Sequence, residues 1–166
     1  MRLALVASSL AASLLSAAAT PVEMPDAIVA HGETLVTTVH AEGAQIYECK
    51  FNAFGDLAWQ FREPVATLLM NGQTVGRHYA GPTWEMSDGS AITATVAGRA
   101  PAATSRDIPL LKLTAATRRG NGRLDGVTTV QRLNTNGGVA DEPCPHDGAY
   151  LSVPYTADYA FYRKRS

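Results

Sequence analysis

Apolar and polar residues alternate along much of the chain, which is the pattern of β-strands that bury one face. In the segment AWQFR (residues 58–62), Trp59 and Phe61 fall on one side and polar residues on the other. The segments QIYECKF (residues 45–51) and AITATVA (residues 91–97) alternate in the same way. Beyond the first 19 residues, no window shows the 3.6-residue period of an amphipathic helix. Further strand candidates are residues 34–40, 66–70, 76–80, 83–86, 108–113, 126–133 and 157–163.

Turn-forming residues separate these strands. Asn71-Gly72 and Asp88-Gly89 are dipeptides that adopt positive φ, which favours tight hairpins. Residues 118–126 and 134–148 are longer loops rich in Gly, Asn and Asp. Eight or nine short strands at nearly regular spacing predict an all-β, single-domain antiparallel fold with little helix. The pattern does not distinguish a β-sandwich from a barrel.

The beginning of the chain predicts export. Arg2, an apolar stretch over residues 3–15 and the small residues Ala17-Ala18-Ala19 have the layout of a signal peptide spanning residues 1–19. We expect residues 20–42 to form a leader and first strand, and residues 43–163 to form the β-rich domain. The expected location is therefore the periplasm or the extracellular space, with no transmembrane segment.

Composition narrows the classes of partner. The net charge is −1 at pH 7, which gives no basic footprint for a nucleic acid. The chain has two cysteines, Cys49 and Cys144. An even pair in an exported chain predicts one disulfide, and two free thiols are the alternative. The four histidines are scattered, and no cofactor motif is present, so we predict neither a metal site nor a cofactor.

Residues 76–90, GRHYAGPTWEMSDGS, concentrate the first group of candidate site residues. On a strand, His78 lies on the opposite face from Tyr79, and on the next strand Trp84 lies on the opposite face from Glu85. Trp84 is interpreted as a core residue, with a ligand platform as the alternative. His78 and Glu85 need partners if they are buried. They form either a structural His–carboxylate hydrogen bond or part of a binding site.

The second group lies near the end of the chain, in VPYTADYAFY (residues 153–162). Asp158 falls among aromatic residues, and Arg132 is its predicted partner. The pair either holds the terminal strand in place or forms an anion or substrate clamp. The ligand-binding candidates are therefore His78, Tyr79, Trp84, Glu85, Arg132, Tyr155 and Asp158.

Several motifs, taken in order, resemble one family of exported bacterial and fungal proteins. They are GAQIYEC, the spacing of Trp59 and Phe61, HYAGPTWEMSDGS, IPLLKL, VQRLNTNGG and VPYTADYAFY. The family is domain of unknown function 3455, and the resemblance runs from about Gly43 to Tyr162. It implies an exported β-rich domain in which the positions of Cys49 and Cys144 are kept. The chain has Leu110 where the family usually has Trp. The resemblance implies no activity.

Three functions remain open at this stage. The first is a binding module for a small molecule or a carbohydrate, because polar and aromatic residues on β-loops commonly form such sites. The second is a structural or interaction protein of the cell envelope. The third is a hydrolase-type enzyme that uses His78 with Glu85 or Asp158.

Overall fold

The computed structural model describes residues 24–165. The predicted signal peptide, residues 1–19, lies outside the described residues. A short 3₁₀ helix is followed by eight strands. The bounds are Asp26–Ile28 for the helix, Glu33–Phe51 (β1), Leu57–Met70 (β2), Gln73–Tyr79 (β3), Thr83–Met86 (β4), Ala91–Ala100 (β5), Leu110–Arg119 (β6), Thr129–Gly137 (β7) and Tyr150–Lys164 (β8).

The eight strands form one closed antiparallel barrel. Each strand pairs with the strand that follows it, and β8 pairs with β1 from Glu33 opposite Lys164 to Glu48 opposite Tyr150. The predicted all-β class is confirmed, and the number of strands is eight. Of the two architectures left open by the sequence, the chain adopts the barrel. No helix among residues 24–165 has the length and apolar character needed to cross a membrane.

β1 is longer than the sequence pattern predicts. It joins the separate strand candidates 34–40 and 45–51, and it runs through the boundary expected between residues 42 and 43. Gly43 lies in its middle, where a Cβ atom would come within 2.5 Å of Ala66 Cα on β2. Glycine therefore lets β1 approach β2 closely at this point and continue as one strand.

Both predicted tight turns are present. Asn71 and Gly72 connect β2 to β3 with φ angles of 51° and 75°, as a type I′ turn requires. Gly89, with a φ of 83°, turns the chain between β4 and β5. The local chemistry of these dipeptides was therefore sufficient to place two of the hairpins.

The two ends of the barrel differ. The loops 52–56, 80–82, 101–109 and 138–149 surround one end, which we call the mouth. At the other end, the β6–β7 loop inserts Leu124 and Val127 into the hydrophobic core, where both are fully buried. We call this the closed end.

A hydrogen-bond network holds in place the β6–β7 loop that inserts Leu124 and Val127 at the closed end. The Asp88 carboxylate accepts bonds from the backbone N–H of Arg123 (2.7 Å) and from the Ser90 hydroxyl (2.6 Å). The Ser90 hydroxyl oxygen in turn accepts the N–H of Leu124 at 3.1 Å. The β4–β5 turn therefore fixes the position of the β6–β7 loop.

The predicted disulfide between Cys49 and Cys144 is confirmed, with a Cα–Cα distance of 5.6 Å. It ties the β7–β8 loop to β1 beside the mouth. The same loop accepts a hydrogen bond from the Tyr47 hydroxyl at the Gly138 carbonyl (2.6 Å). The Trp59 indole N–H donates to the Glu142 carbonyl at 2.9 Å. One covalent link and two hydrogen bonds thus fix one side of the mouth.

Candidate functional site

The half of the barrel next to the mouth encloses a cavity of about 510 Å³. A volume of this size is in the range of small-molecule sites. Its apolar wall includes Phe61, Val96, Leu111 and Leu113. Side chains with polar groups also line it, namely Gln45, Tyr47, His78, Trp84, Arg132 and Tyr159, together with Arg62 and Arg99 nearer the exposed surface.

Strand register explains why several of these side chains meet inside the barrel. Arg99 on β5 lies opposite Leu111 on β6, Leu111 lies opposite Arg132 on β7, and Arg132 lies opposite Tyr159 on β8. Residues directly opposite each other in an antiparallel pair share a face of the sheet. Since Leu111 and Tyr159 are buried inside the barrel, both arginines also face inward.

His78, Trp84 and Tyr159 form an aromatic cluster at the cavity. The rings of His78 and Trp84 stack with centroids 4.4 Å apart, and the Tyr159 ring lies 4.9 Å from His78. The His78 Nδ1–H donates to the Thr83 carbonyl at 2.8 Å, which leaves Nε2 as the acceptor nitrogen. Burial lowers the pKa of His78 to about 3. The imidazole is therefore neutral at physiological pH.

Arg132 supplies positive charge at the cavity wall. Its Nε–H donates to the Pro109 carbonyl at 3.0 Å, which orients the guanidinium. Burial lowers its pKa, and the Tyr159 and Tyr155 hydroxyl groups oppose that shift. An arginine remains protonated in proteins. None of the ion pairs among residues 24–165 includes Arg132, so its charge has no carboxylate partner in the described part of the chain.

Two other cavity residues have buried donors without partners. The Trp84 indole Nε1 and the Gln45 amide Nε2 are inaccessible to solvent and make no hydrogen bond of ordinary geometry to the described residues, although the Gln45 amide lies beside the buried Tyr155 hydroxyl. Both side chains are almost completely buried, at 1% and 2% exposure. An unpaired buried donor costs about 1–3 kcal/mol, so each such group calls for an explanation.

The predicted hydrogen bond between His78 and a carboxylate is wrong. In the β3–β4 pair, His78 lies opposite Trp84 on the inner face, and Arg77 lies opposite Glu85 on the outer face. Glu85 instead accepts a hydrogen bond from the Tyr79 hydroxyl (2.7 Å) and pairs with Arg77 (3.1 Å). These contacts hold the pKa of Glu85 below its usual value, with the Tyr79 hydrogen bond as the main cause.

The predicted pairing of Asp158 with Arg132 is also wrong. Because Tyr159 faces the interior, its neighbour Asp158 faces outward. Its carboxylate oxygens lie 2.7 Å from His40 Nδ1 and 2.7 Å from Asn134 Nδ2. The Asp158 carboxylate thus belongs to a cluster on the outside of the barrel.

The structure divides the sequence-predicted candidates into two sets. His78, Trp84 and Arg132 line the cavity, and Tyr155 is buried next to it, with its hydroxyl 3.3 Å from that of Tyr159. The outer set is Tyr79, Glu85 and Asp158. Within residues 24–165, no three His, Cys, Asp or Glu side chains are grouped so that they could hold a metal ion.

Sequence reasoning missed five of the polar residues that line the cavity: Gln45, Tyr47, Arg62, Arg99 and Tyr159. Alternation places Gln45 and Tyr47 on the same face as Cys49, so the pattern contained a signal for both. Arg99 had no such signal. A β-bulge between Val96 and Gly98 shifts the alternation of β5 by one residue and turns Arg99 inward.

Comparison with known proteins gives one family. The model of the family described as protein of unknown function (DUF3455) matches residues 30–73 and 69–163, which covers nearly all of the barrel. The chain therefore belongs to this family. Neither the search of curated proteins nor the search of solved structures finds a match.

Proposed function

We propose that this member of the family is a binding protein for a small organic molecule, which it holds in the mouth of the barrel. The observation that carries the proposal is the cavity of about 510 Å³, at whose wall the Arg132 guanidinium has no carboxylate partner among residues 24–165. A ligand that accepts hydrogen bonds from this guanidinium offsets the cost of burying its charge. The mixture of apolar walls and a few converging polar groups is typical of ligand sites.

Binding fits the inner face better than hydrolysis. The hydrolase-type mechanism predicted from the sequence uses a carboxylate to orient His78, and the two carboxylates predicted for this role, Glu85 and Asp158, are paired on the outer face. The imidazole of His78 is instead fixed by stacking on Trp84 and by the Thr83 carbonyl. We assign it to the wall of the binding site.

We further propose that binding takes place in the periplasm or outside the cell. The Cys49–Cys144 disulfide supports this location, because disulfides persist in oxidising compartments. The disulfide also fixes the loop beside the mouth, which keeps the binding site preorganised.

The test begins with protein purified unreduced from its own host and analysed by native mass spectrometry. A molecule that copurifies is identified, and its affinity is then measured by titration of the intrinsic tryptophan fluorescence. If none copurifies, a library of small organic molecules is screened by thermal shift. The expected result is a ligand that raises the melting temperature in a saturable way.

Two matched variants locate the binding site. Val96→Trp places a large side chain in the cavity, whereas Val65→Trp places the same side chain on the outer face. Both valines are partly exposed, at 43% and 53%, so neither substitution disrupts the core. Val96→Trp is expected to abolish binding and Val65→Trp to preserve it. Equal affinity in both variants contradicts a site in the cavity.

An interaction protein of the cell envelope is the second candidate. Phe51 and Phe54, at the start and the tip of the β1–β2 loop beside the mouth, are 59% and 91% exposed, and exposed aromatic residues grouped together favour contact with another surface. Cross-linking in intact cells, compared between the wild type and Phe54→Ser, tests this candidate. Loss of a cross-linked species in Phe54→Ser supports it, and an identical pattern in both proteins contradicts it.

A further inference from the structure

We infer that the ligand is an organic monocarboxylate with an apolar body, whose carboxylate binds at Arg132. This inference rests on the proposed binding function and specifies its ligand class. It requires two properties of the cavity, namely an uncompensated positive charge with free N–H groups and an apolar region beside it.

The charge comes from inward-facing guanidinium groups. Arg132 and Arg99 flank Leu111 on the inner face, and no ion pair among residues 24–165 includes either of them. Arg62, which also lines the cavity, lies 3.4 Å from Glu63. The residues that line the cavity include no aspartate or glutamate. The electrostatic potential inside is therefore positive and favours an anion.

The donors have an arrangement that suits a carboxylate. The Nε–H of Arg132 is bound to the Pro109 carbonyl and its guanidinium also lies beside the Tyr159 hydroxyl, which leaves other N–H groups of the terminal nitrogens to donate to a ligand. A carboxylate accepts about four hydrogen bonds and donates none, and its two oxygens match the paired N–H groups of a guanidinium.

The walls account for the apolar body. Leu111, Leu113, Val96 and Phe61 line the cavity, and burying an apolar ligand against them contributes about 25 cal/mol per Å². A carbohydrate fits these walls less well, since its hydroxyl groups also need acceptors and it brings no charge to Arg132. Inorganic phosphate leaves the apolar part of the cavity without a partner.

The experiment compares two acids with their neutral amides. Octanoate and 3-phenylpropanoate, and the matched octanamide and 3-phenylpropanamide, are titrated into the unreduced mature protein by isothermal calorimetry at neutral pH. The amides keep the size and apolar body of the acids but carry no charge. The expected result is a dissociation constant at least about tenfold lower for each acid than for its amide.

Two variants assign the preference to a residue. Arg132→Gln is expected to reduce the acid-over-amide ratio severalfold, because it removes the guanidinium that contacts the carboxylate while the charge of Arg99 remains. Arg77→Gln, which removes a guanidinium from the outer face, is the control and is expected to keep the ratio. The comparison of acids with amides on the wild type stands even if Arg132→Gln does not fold.

Three outcomes overturn the inference: amides that bind as tightly as the acids, an Arg132→Gln variant that keeps the preference, or no binding by any of the four probes. The proposed function has a separate criterion. A neutral ligand that binds the wild type and Val65→Trp but not Val96→Trp supports the binding function and contradicts the inference that the ligand is a carboxylate.

Discussion

The imidazole of His78 lies flat against the indole of Trp84, with ring centroids 4.4 Å apart and an angle of 12° between the ring planes. Both side chains are buried at the cavity, and the Tyr159 ring meets the indole edge-on at 5.1 Å. The pair joins the packed core of the barrel to the proposed binding site. A change in either ring therefore affects stability and binding together.

We predict that burial of His78 makes the protein less stable in mild acid. The pKa of this residue falls from 6.5 to about 3 on folding, so below pH 6.5 the unfolded chain binds a proton that the folded chain excludes. Its contribution to the free energy of unfolding is complete above pH 6.5 and declines as the pH falls towards 3. The slope approaches about 1.4 kcal/mol per pH unit. Urea unfolding at a series of pH values measures it.

The variant His78→Gln isolates this contribution. It lowers stability at neutral pH, but its free energy of unfolding should depend less steeply on pH than that of the wild type. His31→Gln, at an exposed histidine outside the barrel, is the matched control. Parallel curves for the wild type and His78→Gln would show that His78 is not the group responsible.

Removal of the disulfide is expected to destabilise the whole barrel. The Cys49–Cys144 bridge joins residues 95 positions apart, and loss of a native disulfide typically costs about 2–5 kcal/mol. The double variant Cys49→Ala/Cys144→Ala should lower the urea midpoint by a corresponding amount. A midpoint within error of the wild type would mean that the hydrogen bonds of the β7–β8 loop suffice without the bridge.

The closed end should depend on Asp88. The hydrogen bond from Ser90 is the main cause that holds the pKa of Asp88 below its usual value, followed by the Arg123 backbone N–H. The stabilisation is complete above the usual aspartate pKa of about 4 and is lost as the pH falls through the lower folded value. Asp88→Ala is expected to cost about 1–2 kcal/mol at neutral pH.

Hydrogen exchange locates that loss. The amide of Leu124, which donates to Ser90 Oγ, should exchange faster in Asp88→Ala, while amides near the mouth keep their protection. Asp56→Ala, at an exposed carboxylate in the β1–β2 loop, provides the comparison. Uniform acceleration across the barrel would contradict a local role for Asp88.

Substitutions on the outer face should leave ligand affinity unchanged. Glu85→Gln and Asp158→Asn alter carboxylates that the barrel wall separates from the cavity, so dissociation constants are expected to stay within about twofold of the wild type. Isothermal calorimetry with the ligand found by copurification or by the thermal-shift screen measures these dissociation constants. A tenfold loss in either variant would return that carboxylate to the list of site residues.

Local sequence patterns predicted much of this site. Alternation placed Trp84 in the core and assigned Trp84 and Glu85 to opposite faces, and the structure agrees. It could not show which residues lie opposite each other on different strands. Asp158 contacts His40 across 118 positions of the chain, and this pairing depends on the register of β8 against β1. Because the whole barrel sets the register, the sequence pattern of one strand does not predict which residues lie opposite it.

A β-bulge explains another failure. In β5, strict alternation from Val96 predicts that Arg99 faces outward, and the bulge reverses it. The contribution of Arg99 to the cavity therefore has no signal in the sequence pattern. Arg132 was identified as a candidate, but it was given an aspartate partner that the closed barrel places on its other side.

Closure of the barrel has a consequence for how the chain folds. The pairing of Glu33 with Lys164 joins the two ends of the sheet, which lie almost the whole described chain apart. Contacts of such high sequence separation form late and make folding slow, on the scale of milliseconds to seconds. The seam between β1 and β8 cannot form until the last strand has emerged. A chain truncated before Tyr150 therefore lacks the strand that completes the sheet, and it leaves the edges of β1 and β7 open to intermolecular pairing.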